Sequence, residues 1–532
     1  MTFVRILGSD RFARWVAVTL LLVLIAPPLA MFLYDAIVGL SSGPATKGLR
    51  AFSFSILAAS FLLALISSLV CAVIGGLSGL AAGRMHPRAA LALLFCFVVP
   101  LAAPPAIHAY VWRNIAMSSG LLGGLFVEGG TGVLNFCGAV VSLVSAYWTL
   151  PAIAAFAVAA GPGRRYELEG RVFADTRTLA RRILLPVVMP AVLTSTGLVF
   201  ILSFSDYGAA SLWQINTYPV HILSLYSSFY EPRLAAAASL VPSLVNFALA
   251  GFVALYAART IRAASVEKTS VAREFLWRPS ALLVATVGGC TAVLVGALLA
   301  VSAYWTFCEF RGLSSLKPIA IAFVSSFVVA CIAAGFAAFV ALVAVADAWS
   351  RSRASRVVPV VLALVVFLLP AAGVAYSVKA IADSRMVPSY FSDAPAAYAY
   401  ALAARFLAVP LMLAALAMSR VPKGYRDLAR ISGVSGLNRA FKLAIPVILP
   451  AALAGFVVSV VLAVADIPVA AFLSPAGRQP VSVVLFNLMH FARQGDAFAA
   501  AIAMMLGSSI CLFGSLAGIR HLWKRYSPRH SA

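Results

Sequence analysis

The sequence predicts an all-α polytopic membrane protein with about 12 transmembrane helices, arranged as two parallel six-helix repeats. Three observations predict it. The chain is 63% apolar and 11% charged, against about 45–50% and about 25% in a soluble domain. Its apolar residues gather in twelve long runs separated by short charged segments. Two passages of similar chemistry recur 260 residues apart.

A chain of 532 residues with mean hydropathy +1.00 has more apolar surface than one water-soluble core can hide, so the bilayer must be its solvent. A helix crosses the hydrocarbon layer with about 20 apolar residues. In the first half the runs lie near 15–38, 55–83, 89–111, 132–160, 187–207 and 235–258. In the second they lie near 281–303, 318–346, 357–378, 397–418, 447–467 and 498–518. The first run is longer than the roughly 7–15 residues of a signal-peptide core and has no small-residue cleavage site after it, so it reads as a membrane helix. Backbone groups in lipid must bond within their own segment, which favours helices. The alternation of a membrane barrel is absent.

The net charge is +23. The basic residues sit in short loops between apolar runs, a membrane pattern rather than a nucleic-acid surface. With the N-terminus inside, the inside segments carry 29 Lys and Arg and the outside segments 10. Both termini of this multi-pass protein are therefore expected in the cytoplasm. The seven cysteines are scattered through apolar runs without a CxxC, so neither a disulfide framework nor a metal site is indicated. His108 and His490 stand alone and read as packed or interfacial residues.

The recurrence sets the domain plan. Glu167-Leu168-Glu169, Phe173 and Ile183-Leu184-Leu185-Pro186 align with Asp427-Leu428-Ala429, Gly433 and Leu443-Ala444-Ile445-Pro446. The register continues through Pro190 and Pro450, then Asp206 and Asp466. This divides the chain into a first lobe at 1–258, a polar linker at 259–280 and a second lobe at 281–532. An even number of spans returns the chain to its starting side, so the repeats are parallel.

The loops at 161–186 and 419–446 carry the functional signal. Each holds six Lys or Arg beside acids and apolar residues. Each is far longer than the about 2–8 residues of a plain connection between helices. Helical spacing, a break and a closing proline read as helix-turn-helix on the membrane face. Gly433 and Gly436 supply the break in the second loop. Pro446 suits the first turn of the following span. Anchoring to anionic headgroups explains the charge but not the repeated register.

This pattern resembles the EAA loop of bacterial ABC importer permeases: Glu-Ala-Ala, three residues, Gly, nine residues, then Ile-x-Leu-Pro. Leu80–Pro105, with Pro100, Pro104 and Pro105, is similar to the family's second and third core helices. Asp206-Tyr207-Gly208 and Asp466-Ile467-Pro468 resemble the ends of the next one. Fusion of two lobes resembles the iron(III)- and thiamine-type permeases. The resemblance implies that Glu167, Leu168, Glu169, Phe173 and Pro186, with Asp427, Leu428, Ala429, Gly433 and Pro446, form two ATPase-coupling loops. It implies a separate cytoplasmic ABC ATPase in two copies, carrying ATP and Mg, and a periplasmic substrate-binding protein. Phe173 and Asp427 depart from the family's glycine and glutamate, so the first loop is expected to turn or dock differently.

The chain has no GxxxxGK[ST] phosphate loop, so it is expected to bind no cofactor itself and to be no enzyme. Ionisable residues at membrane depth default to function. Asp206 and Asp466 follow Pro186 and Pro446 by 20 residues, roughly 30 Å of helix. They are candidates for a translocation path or gate, or for caps of the next turn. Arg405 lies in the tenth run, with Ser145 at the matching first-half position. It is expected to attract substrate, to pair with Asp466, or to bind backbone carbonyls. A gradient-driven twelve-span transporter is the competing reading, on a faint loop motif at Gly76–Arg88.

Overall fold

The computed structural model describes residues 10–41, 53–117, 132–160, 170, 175–264, 281–309, 313–348, 353–384, 387–388, 391, 395–419, 421, 444–475, 477–491 and 493–526. Among them every regular element is a helix. The first half holds α1 (Asp10–Ser41), α2 (Phe54–Ala82), α3 (Pro87–Leu101), α4 (Pro105–Met117), α5 (Gly132–Tyr147) and α6 (Thr149–Ala160). It continues with α7 (Thr176–Leu179), a π-turn (Ala180–Leu184), α8 (Leu185–Phe204), α9 (Gly208–Leu212), α10 (Tyr218–Ser227), α11 (Pro232–Ala238) and α12 (Leu240–Ala264). The second half holds α13 (Ala281–Glu309), α14 (Leu313–Ala348), α15 (Arg353–Leu368), α16 (Ala371–Ala382), α17 (Pro395–Phe406) and α18 (Ala408–Ser419). It ends with α19 (Ile445–Ala465), α20 (Ile467–Leu473), α21 (Val481–His490) and α22 (Gln494–Tyr526).

Nine spans in the described residues are long and apolar enough to cross a membrane, and eleven if each of two bent pairs is one span. All twelve predicted ranges coincide with helices; the twelfth is α22. The third and ninth runs differ from expectation. Each is two limbs meeting nearly at a right angle: 93° between α3 and α4, 97° between α15 and α16. The cause is proline. Pro104 and Pro105 in one break and Pro370 in the other supply no N–H and clash with the preceding turn.

The helices are packed by small residues and present large ones outward. α2 buries Ser60, Ser67, Ser68, Gly75, Ser78 and Gly79 and exposes Phe61, Leu62, Leu69, Val73 and Leu77. In water this polarity is inverted. In lipid, where no hydrophobic force joins helices, close backbone approach drives association and small residues permit it. A Cβ on Gly75 would run into the backbone of Trp148, just before α6, and one on Gly79 into that of Ala152 in α6.

The same helix pairs recur at the 260-residue spacing. α2 packs with α6 and α8, and α6 with α8; α14 packs with α18 and α19, and α18 with α19. A similar serine–backbone bond is made in each half. Ser60 Oγ accepts from Tyr218 N–H at 2.8 Å, and Ser326 Oγ accepts from Val481 N–H at 2.8 Å. The first helix of each half crosses over: α1 lies on α14, α15, α16 and α17, while α13 lies on α2, α3 and α4. Aromatic contacts stitch the halves together, among them Tyr110–Phe498 at 5.0 Å and Tyr226–Tyr376 at 5.0 Å.

Candidate functional site

The breaks that end α3, α8, α15 and α19 converge between the halves. They line a half-open cavity of about 160 Å³. First-half walls come from Leu101–Ala106, Ala146, Tyr147 and Ser205–Gly208, and second-half walls from Phe367, Ala371, Arg405, Phe406 and Val461–Pro468. The three ionisable residues singled out by sequence, Asp206, Asp466 and Arg405, all line it.

Each aspartate ends a long span and starts a short helix. Asp206 Oδ1 accepts from Ala209 N–H at 2.8 Å in α9, and Asp466 Oδ1 accepts from Val469 N–H at 2.9 Å in α20. An N-terminal carboxylate satisfies a backbone donor that no turn reaches. The capping role expected for both is therefore present, beside exposure to the cavity.

Their other oxygens differ. Asp466 Oδ2 lies 2.9 Å from Arg405 Nε, with side chains only 6% and 12% exposed. The pair removes two charges from water, and its geometry must repay that cost. Arg405 Nη1 also donates to the Leu369 carbonyl at 3.3 Å, and its guanidinium lies 5.7 Å from the Phe406 ring centre. Of the alternatives for Arg405, the ion pair and the carbonyl contact are both made. Asp206 pairs with no cation among the described residues. The first-half stretch Ser145–Tyr147, which corresponds to Arg405 and its neighbours, carries no charge.

Two further polar residues lie near these breaks: His108, read from sequence as packed, and Asn246, which sequence reasoning missed. His108, on α4, is fully buried. Its Nε2 lies 3.1 Å from the Pro100 carbonyl and its Nδ1 2.9 Å from Ser145 Oγ. A carbonyl only accepts, so Nε2–H is the donor and Nδ1 accepts from the serine hydroxyl. Asn246, on α12, donates from Nδ2 to Ser205 Oγ at 3.1 Å and to the Leu368 carbonyl at 3.5 Å. It borders a smaller cavity of about 30 Å³ next to the first. The available signal was a lone amide and a lone imidazole inside apolar runs. His490, by contrast, is exposed, its ring tilted against Phe486 at 4.1 Å.

Of the coupling-loop residues, Glu167, Leu168, Glu169, Phe173, Asp427, Leu428, Ala429 and Gly433 lie outside the described residues. Pro186 and Pro446 sit in the first turns of α8 and α19. A π-turn precedes Pro186, and Ala444, just before Ile445 and Pro446, has the same π conformation. A proline ring clashes with the carbonyl four residues earlier, and a widened turn relieves that clash.

Residues 352–519 match the family model described as "Binding-protein-dependent transport system inner membrane component". The matched stretch includes α16 to α21, Arg405, Asp466 and Pro446. It supports a membrane permease component of a binding-protein-dependent ABC transporter. Searches of curated proteins and of solved structures found no match.

Proposed function

We propose that the chain is the fused, two-lobed permease of an ATP-driven, binding-protein-dependent importer in a bacterial inner membrane. The family match over 352–519 carries this reading. The first half is read as an equivalent lobe because its helix pairs recur at the same spacing and a similar serine–backbone bond is made in each half. In this reading the lobes are 1–258 and 281–532, joined by a cytoplasmic linker at 259–280, with both termini in the cytoplasm.

The cavity between the halves is the passage, and Asp206, Asp466 and Arg405 are its charged lining. The loops at 161–186 and 419–446 dock on two copies of a cytoplasmic ABC ATPase, which binds ATP and Mg; this chain binds no cofactor. A periplasmic binding protein delivers the solute. Ferric iron is the leading substrate by resemblance to other fused permeases, with thiamine and small organophosphonates behind it.

The test is co-purification. The tagged chain, extracted in detergent from its native host, is expected to bring an ATPase subunit with it. Glu167→Ala with Asp427→Ala is expected to weaken that association about tenfold, the loss of one to two charged contacts. A chain that moves solute without any nucleotide-hydrolysing companion is instead a gradient-driven transporter. Retention of the ATPase by the double variant sinks the assigned role of the two acids.

A further inference from the structure

We propose that the two bent spans are unequal working parts: α15–α16 is the moving gate, positioned by Arg405, and α3–α4 is a fixed post held by His108. This inference rests on the permease reading above.

The first bend is held from within. Pro104 has no N–H for the Pro100 carbonyl, its helical partner four residues back. His108, on the second limb, donates to that carbonyl at 3.1 Å. Ser145 fixes the other side of the ring at 2.9 Å. Arg113, on the same limb, donates to the Leu212 carbonyl at 2.9 Å and ties the limb to α9. The imidazole is fully buried, so water cannot take its place without opening the packing around it.

The second bend is held from outside by longer bonds. The carbonyls at its break accept from Asn246 of α12 at 3.5 Å and from Arg405 of α17 at 3.3 Å. Arg405 is also bound to Asp466 at 2.9 Å. Asp466 ends α19, and α19 begins at Ile445, where the loop 419–446 closes. A displacement of that loop therefore reaches the second break through one helix and two side chains.

The corresponding line in the first half does not reach the first break: Ser205, at the end of α8, accepts from Asn246, which donates to the Leu368 carbonyl of the second break, and Asp206 beside it goes no further than α9. That carboxylate caps α9 but meets no cation among the described residues. Sequence departs on the same side, because Phe173 stands in the first loop where Gly433 stands in the second. Both departures fall on one half. A bistable element biased from a distant site is what coupling requires, and the polar contacts from both halves end on the carbonyls of the second break, Leu368 and Leu369.

Hydrogen–deuterium exchange on the full permease–ATPase complex tests this, comparing the nucleotide-free state with one trapped by ATP and vanadate. Peptides over 369–382 are expected to change exchange by about tenfold between the states, and peptides over 101–117 to stay level. Arg405→Ser is expected to abolish the nucleotide response at 369–382 while the bound ATPase still hydrolyses ATP. Should that variant not fold, Arg405→Lys serves. It keeps a charge for Asp466 but lacks the fork that reaches Leu369 as well, so the response shrinks. His108→Val is expected to raise exchange over 101–117 equally in both states. Equal nucleotide responses in the two bends overturn the proposal, as does an undiminished response in both Arg405 variants. If the wild-type complex hydrolyses no ATP, the permease reading fails and the gate falls with it.

Discussion

Arg405 touches Asp466, the Leu369 carbonyl and the Phe406 ring at once, and the site is most exposed to change there. Removing one partner of a buried pair leaves the other charged and dry, which costs about 3–5 kcal/mol. Arg405→Ser is therefore expected to lower the thermal stability of the purified protein in detergent. Asp466→Asn in the same background is expected to recover much of the loss, because the stranded charge is gone. Thermal unfolding of both singles and the double decides this, and simple additivity of the two losses contradicts it. Asp206 gives the contrast. It has a backbone partner but no counter-charge among the described residues, so Asp206→Asn is expected to cost about 1 kcal/mol or less in the same assay. Two acids in one register thus differ in how much their loss costs, set by whether residue 405 or its first-half counterpart has a charge to offer.

Among the elements, α2 and α6 meet at a seam with no room for a side chain. Gly75 and Gly79 bring the helix against the backbone of Trp148, just before α6, and of Ala152 within it. Gly79→Val forces the helices apart, and overpacking of this kind costs about 1–3 kcal/mol or more. The expected readout is a loss of monodisperse protein on size-exclusion chromatography, which Gly251→Val, open on all sides, does not produce. The spans themselves were legible in the sequence, because the bilayer imposes both length and composition on them. Their bends were not. Both limbs of 89–111 and of 357–378 are apolar, so hydropathy runs straight through Pro104, Pro105 and Pro370. The short helices α9, α10, α20 and α21 escaped for the opposite reason: at 5 to 10 residues they are too brief for a window sized to a membrane. The capping of both aspartates was readable, since it depends on neighbours in the chain. The choice of Asp466 as partner for Arg405 stayed one option among three, because it depends on how α17 and α19 pack.

For the whole molecule, the crossing of α1 and α13 decides how the halves hold together. Each packs on a helix of its own half, α1 on α11 and α13 on α22, and also lies on three or more helices of the other. Aromatic contacts such as Tyr207–Phe486 at 5.7 Å and Tyr376 against Tyr226 at 5.0 Å add to the seam. The halves are therefore joined by interlocked helices, and the covalent link at 259–280 adds only an effective concentration. A protease site placed in the charged stretch around Glu267 and Lys268 tests this. After cleavage in detergent, fragments of about half the chain each are expected to elute together and to keep the thermal stability of the uncut protein. Expressed alone, the fragment from 281 to 532 exposes the α14 and α16 surfaces that α1 covers, and is expected to aggregate or be degraded. Clean separation of the cut halves, or a well-behaved second half on its own, would show that the crossed helices contribute little and that the linker holds the two halves together.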